Sequence, residues 1–422
     1  MDFDKERVIQ RHSVLLSQVT TDSTFQKLGC SPLLTVAALR LAQQQRSLIS
    51  QYGLLARVMR TTSQQTTQDW NNASESRLFF NTSVPSSTFI CGSQGSGKSY
   101  TLSCLLENCL APSDATVLPR PLTCLLFHYD EFISDNAGSP CEAAFLASVP
   151  GIKVRVLCSP TNIATIKKTY SQLNVDVQPL QIRESNLNTK RMLDLMAVNQ
   201  DDTAVPLYIH IVHRILREMR IQQQNTGGSF NYGLFKSKVA EADLTAAQLA
   251  PLSQRLSVLE SFMPKAKGVG TEWSNEYMST SPESTTLTNT ILSTVRLQRH
   301  LGVRIIIATQ EPTISPSLLD LCSVTIIHRF TSPAWIHALR AHTTLRLASE
   351  DITADAASKA QDKIFQIIVR LNTGEALVFA PNAAVGMKNK GKIAQLLLGS
   401  AYLEVKIRAR LSNDGGESLM AN

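Results

Sequence analysis

The stretch Gly92-Ser93-Gln94-Gly95-Ser96-Gly97-Lys98-Ser99 fits the pattern G-x-x-x-x-G-K-[ST], a glycine loop whose backbone N–H groups cradle phosphates. Glycine lets the chain wrap closely around an anion and aim successive N–H groups at its oxygens. In this pattern Lys98 reaches the β- and γ-phosphates, and the Ser99 hydroxyl ligates Mg²⁺. The candidate nucleotide-binding set is therefore Gly92, Ser93, Gln94, Gly95, Ser96, Gly97, Lys98, Ser99 and the adjoining Tyr100. The expected ligands are ATP and Mg²⁺, with Ser99 as the metal anchor.

Such a loop works only between a strand and a helix, and the flanks read that way. Ser87-Thr88-Phe89-Ile90-Cys91 is short, apolar and β-prone, and Tyr100 to Leu106 has a helical apolar face. The helix N-terminus adds a favourable dipole at the phosphate. The next apolar run, Leu122 to Tyr129, reads as a strand ending in Asp130-Glu131. That ending has the form of a Walker B pair, but it follows the loop too soon. Its position suits a strand remote from the catalytic carboxylates. Gly151 to Cys158 is a further short strand, and 163–262 reads as a mainly helical insertion. Within it, Ile209, Val212, Ile215, Leu216 and Met219 form an apolar stripe. His210 and His213 share a helix face there, with no third metal ligand in view.

Residues 1–60 read as a helical N-terminal extension, with Ser31-Pro32 as N-cap and first helical residue. A polar linker over 61–76 follows, and the nucleotide domain is expected over 77–411, with 412–422 as a disordered tail. Later come a helix from about 286 to 300 and a strand from Val303 to Ala308 ending in Thr309-Gln310. A short helix, a strand over 324–330 and a turn into a strand at Thr373 to Ala380 follow.

Composition narrows the class. The 422 residues are 43% hydrophobic, enough for a large core. No run approaches the roughly 18 apolar residues of a membrane span, so no membrane partner is expected. The N-terminus lacks an apolar signal core. The eight cysteines contain no C-x-x-C pair, which argues against a zinc ribbon or a disulfide framework. An intracellular setting, cytoplasmic or nuclear, is the expectation. The net charge of +7 permits nucleic-acid contact.

Strands alternating with helices and opened by a phosphate loop point to a parallel α/β sheet. The stretch Arg299 to Val303, with Ala308-Thr309-Gln310-Glu311-Pro312, resembles the HerA/FtsK group of P-loop ATPases, ring-forming motors that include DNA pumps. Gly374-Glu375-Ala376 resembles the late Gly-Glu-Ala turn of that group. The resemblance implies an α/β P-loop NTPase with a mostly parallel RecA-like sheet. It places Gln310 where the group has its γ-phosphate sensor, and Arg329 or Arg340 as a finger toward a neighbouring subunit. It implies self-association and DNA as a partner.

One departure bears on activity. The group carries its Walker B strand between the insertion and the helix near Thr286. That window here reads Gly268 to Met278, with only Asn275-Glu276 where an acidic pair is expected. Without those carboxylates, nucleotide binding survives and hydrolysis is impaired. Two readings from different classes follow: an ATPase of this group, derived from a DNA translocase, or a non-hydrolysing nucleotide-dependent scaffold that oligomerises through 1–60. A small-molecule kinase is disfavoured, because no arginine-rich lid follows the loop.

Overall fold

The computed structural model describes the chain except residues 1–27, 45–48, 63–69, 71, 129–137, 196–206, 243, 264–281, 311–313, 343–362, 390–391, 399–400 and 414–422. In chain order the first elements are β1 (Leu33–Thr35), α1 (Val36–Gln44), β2 (Tyr52–Thr61), β3 (Arg77–Asn81) and β4 (Ser87–Cys91). Then come α2 (Lys98–Leu110), β5 (Thr116–Val117), β6 (Arg155–Cys158), α3 (Ile163–Thr169) and β7 (Asp176–Pro179). Four helices follow: α4 (Thr189–Leu195), α5 (Leu207–Thr226), α6 (Tyr232–Ala240) and α7 (Ala246–Ser261). The last part holds α8 (Pro282–Leu301), β8 (Ile305–Thr309), α9 (Pro316–Leu321), β9 (Val324–Ile327) and α10 (Pro333–His342). It ends with β10 (Glu375–Phe379), β11 (Ala384–Asn389), β12 (Lys392–Leu397) and β13 (Leu403–Ile407).

The chain divides into two compact units. One comprises 1–126, 148–152 and 289–422, the other 127–147 and 153–288. The first holds an eleven-stranded sheet in the order β12-β11-β1-β3-β2-β13-β10-β9-β4-β8, with β5 on β2. Only β1–β11, β4–β8 and β4–β9 pair in parallel, so the sheet is mixed and not mostly parallel as expected. Parallel pairing is confined to the three strands around the glycine loop and one distant pair. The rest is built from antiparallel neighbours, among them β2–β3, β2–β13 and β9–β10.

All five residues of β4 are buried. Ile90 joins one apolar cluster with Cys104, Leu105, Ile326 and Val378. Phe89 and Cys91 join another with Ile307, Ile327, Leu377, Leu292 and Val295. Alternate residues thus face two separate cores, which is why the strand reads as an unbroken apolar run.

Three expectations about the frame are corrected. The described part of 1–60 is not a helical extension, because β1 and most of β2 lie inside the main sheet. In β2, Leu55, Ala56 and Val58 are buried while Arg57 and Arg60 lie at the surface. That two-residue rhythm suits a strand, and the helical pattern ends with α1. Residues 61–76 accordingly join two neighbouring strands of one sheet rather than two domains. Residues 122–128 form no strand. They run along the surface with Leu125 and Phe127 58% and 45% exposed. An apolar run marks a strand only where an edge and two covered faces are present for it.

In the second unit β6 and β7 form a two-stranded parallel sheet. A helical core gathers Met192, Tyr208, Ile209, Val212, Ile215, Leu216, Phe235 and Leu252. The buried face of α5 is the apolar stripe read from the sequence. Among the described residues, no helix is long and apolar enough to cross a membrane.

Candidate nucleotide-binding site

The glycine loop leaves β4 at Cys91 and enters α2 at Lys98. Gly92, Gly95 and Gly97 have φ of 153°, 71° and 107°, a region that side chains penalise. Two of them also lack room. A Cβ on Gly92 would lie 2.7 Å from His328 Cβ and 2.7 Å from Ser96 Oγ, and one on Gly97 would lie 3.1 Å from the Gly374 nitrogen.

The loop is held from one side. The Ser93 N–H and hydroxyl both donate to the Arg329 carbonyl, each at 2.9 Å. The Ser96 hydroxyl donates to the Ser93 carbonyl at 2.7 Å, and Lys98 Nζ donates to the same oxygen at 2.8 Å. The Gly374 N–H donates to the Ser96 carbonyl at 3.4 Å. The ammonium of Lys98 is therefore held against the loop. Burial lowers its pKa, and the neighbouring Cys91 sulfur opposes that shift. A phosphate oxygen would offer this ammonium a full charge in place of a carbonyl dipole, a stronger hydrogen bond. The Cys91 thiol itself is pushed up to about 12 by burial, so it stays protonated and inert.

His328 forms the floor of the loop and is fully buried. Its Nδ1 lies 2.9 Å from the Glu375 carbonyl and its Nε2 lies 2.9 Å from Thr101 Oγ1. A carbonyl only accepts, so Nδ1 carries the proton, and the Thr101 hydroxyl donates to Nε2. Burial pushes the imidazole pKa down to about 4; the bond to Glu375 opposes this and Lys98 adds to it. The ring is neutral at physiological pH. It ties the first turns of α2 to the start of β10 directly beneath the phosphate loop.

Strand register decides what else lies near. Cys91 is level with Thr309 of β8 and with Ile327 of β9. Gln310, Gly92 and His328 are thus the next residues of three adjacent parallel strands. Gln310 is exposed at the end of β8, which is the terminal strand of the sheet among the described residues. The Arg329 side chain is exposed, and its backbone carbonyl is what meets the loop. Arg340 belongs to α10, and its side chain is outside the described residues. Ser99 and Gln94 are exposed, and Tyr100 is half-buried in the first turn of α2.

Asp130, Glu131 and the window 268–278 also lie outside the described residues. Among the described residues, no group of three or more His, Cys, Asp or Glu side chains could hold a metal ion. A divalent cation would need phosphate oxygens beside the Ser99 hydroxyl. The exposed hydroxyl next to a glycine cradle fits that division of ligands.

Sequence reasoning missed His328 and Thr101. The signal was a polar residue at the end of the apolar run Val324 to Ile327, but nothing in spacing ties it to a loop more than 200 positions earlier. It also missed Arg408, which makes a 2.8 Å ion pair with the fully buried Glu107 of α2. The segment after it was assigned to a disordered tail, yet Ser412 is buried and donates its N–H and hydroxyl to Glu107.

No family model and no curated protein matches the chain. Among solved structures, it is similar to the genome packaging NTPase B204 from Sulfolobus turreted icosahedral virus 2 in complex with AMPPCP. That match has 11% identity and a TM-score of 0.22 over 75% of this chain and 97% of that one. The same NTPase with ATP-gammaS matches at 10% identity and a TM-score of 0.22, over 74% and 96%. The monomer form of the pCW3 conjugation coupling protein TcpA with ATPgS matches at 11% identity and a TM-score of 0.25. This chain is covered over 82% there and spans 65% of the coupling protein. The reading of the site rests on the geometry of the loop itself.

Proposed function

We propose that the chain is a nucleotide-binding P-loop NTPase that takes Mg·ATP at residues 92–100. One observation carries the reading: a buried strand, three left-handed glycines and a desolvated Lys98 within the loop stand at the start of a helix. Backbone N–H groups and the helix dipole would hold the phosphates, Lys98 the terminal ones, and Ser99 the Mg²⁺. Calorimetric titration with Mg·ATP tests it. Micromolar binding in the wild type that Lys98→Ala abolishes supports it, and equal affinity in the two proteins removes it.

The finer reading is an ATPase of the HerA/FtsK-like class, derived from a DNA-translocating motor. What supports it is internal to the chain. The strand ending in Thr309-Gln310 is the parallel neighbour of β4, and the Gly374-Glu375 turn bonds to the loop through Ser96. In this reading Gln310 senses the γ-phosphate, and Arg329 or Arg340 serves a neighbouring subunit. Single-turnover hydrolysis beside a binding titration separates it from a nucleotide-dependent scaffold. The scaffold reading does not have the free helical extension it was expected to use, because β1 and β2 belong to the main sheet.

A nucleic-acid partner is favoured by α5. His210, His213, Arg214, Arg217 and Arg220 lie along the face opposite its apolar stripe and line a shallow cavity of about 530 Å³. No carboxylate pairs with these arginines among the described residues. Such a row suits a phosphate backbone. Replacing Arg214, Arg217 and Arg220 together by Ala should flatten the salt dependence of single-stranded oligonucleotide binding by a slope of about 2. An unchanged slope removes this surface from the reading.

A further inference from the structure

Beyond β13 the chain crosses the helix that carries the phosphate loop, and it is fastened there at unusual cost. Arg408 donates through Nε to the Leu54 carbonyl at 2.7 Å and through Nη2 to Asn108 Oδ1 at 3.2 Å. Its Nη1 lies 2.8 Å from Glu107 Oε2. The other oxygen of Glu107 accepts from the Leu411 N–H, the Ser412 N–H and the Ser412 hydroxyl at 2.9, 2.9 and 2.8 Å. A buried ion pair is a poor source of net stability compared with apolar packing. What this one supplies is position: it fixes residues 408–412 on α2.

The residue so placed is Arg410. Its N–H donates to the Tyr100 hydroxyl at 3.0 Å, and its guanidinium lies over the Tyr100 ring, 5.3 Å from the centroid. Tyr100 directly follows Ser99, within the first turn of α2. The strap is therefore held at Glu107 and again at Tyr100, seven residues or about 10 Å apart along the helix. Its second anchor is the side chain next in line after the phosphate loop.

We propose that Tyr100 and Arg410 form the nucleoside subsite of the phosphate loop, the base stacking on the guanidinium-covered ring. This inference rests on the nucleotide reading given above. Phosphates gripped by Lys98 and Ser99 leave the nucleoside to pass over the residues that follow. There the chain offers a flat aromatic ring already paired with a flat cation, both surfaces on which bases stack irrespective of sequence. The strap serves as a positioning device. It converts a stretch near the chain end into one wall of the site.

The test compares Mg·ATP with magnesium tripolyphosphate, which has the phosphates and no nucleoside, by calorimetry on the full chain. Arg410→Ala and Tyr100→Ala should each weaken ATP by about tenfold and leave tripolyphosphate within about twofold. Tyr100→Phe, which keeps the ring, should stay close to wild type. Arg410→Lys, which keeps the charge and loses the plane, should fall with Arg410→Ala. Thermal melts of each variant guard against unfolding. ATP affinity that neither alanine variant changes overturns the subsite alone, as does a parallel loss of both ligands. A wild-type chain that binds neither ligand overturns the phosphate-loop reading, and the subsite with it.

Discussion

The two flanks of the phosphate loop are built differently. On the β9–β10 flank every component is tied. Ser93 bonds to the Arg329 carbonyl, Ser96 to Gly374, and His328 to both Thr101 and Glu375. On the β8 flank the sheet ends among the described residues, and Gln310 stands exposed one position beyond the strand. The first flank can hold phosphates in a fixed geometry before any ligand arrives. Water activation needs positioned groups on the other flank, beyond β8. The difference teaches that binding and hydrolysis are separable in this chain: the groups that grip phosphate are pre-organised, and those that would attack it are not part of the same network.

The comparison can be broken most forcefully at the tied side. Glu107→Ala leaves Arg408 buried without its carboxylate, so unfolding stability should fall by about 3–5 kcal/mol. Chemical denaturation measures it, and a loss under 1 kcal/mol would mean that the strap is not held through this pair.

A pH profile of stability probes the floor of the loop. His328 titrates near 4 when folded and near its ordinary 6.5 when unfolded. As pH falls below about 6.5 the unfolded chain takes up a proton that the folded chain refuses. Stability due to this group is complete above that pH and falls between about 6.5 and 4. The full loss is about 3 kcal/mol. His328→Asn should flatten this part of the profile, and an equal slope in the variant would show that other groups carry it.

Lys98→Ala should lower Mg·ATP affinity by about a hundredfold, the scale of one or two charge-assisted hydrogen bonds, without lowering the melting temperature. A coupled loss of fold would show that Lys98 is structural. The smallest effect belongs to the open side. Gln310→Ala should leave ATP affinity within about twofold and change only the single-turnover rate. A tenfold loss of affinity would place Gln310 among the groups that grip phosphate and erase the contrast between the flanks.

What the sequence by itself determined is local. The order of glycines, lysine and serine marked the phosphate loop. The apolar runs on either side marked a strand and a helix, because a few consecutive residues carry that information. The helical stripe of α5 was equally legible, since its buried face repeats every three to four residues. The mixed sheet was not, because pairing between β2, β13 and β10 joins residues more than 300 positions apart, and apolar patterning names a strand without naming its neighbour. The surface course of 122–128 escaped for the same reason. Tertiary structure alone decided that His328 lies under Gly92, that the Arg329 backbone rather than its charge meets the loop, and that Arg410 lies on Tyr100. Each depends on the distance between elements folded from opposite ends of the chain, and no spacing along one strand or helix records it.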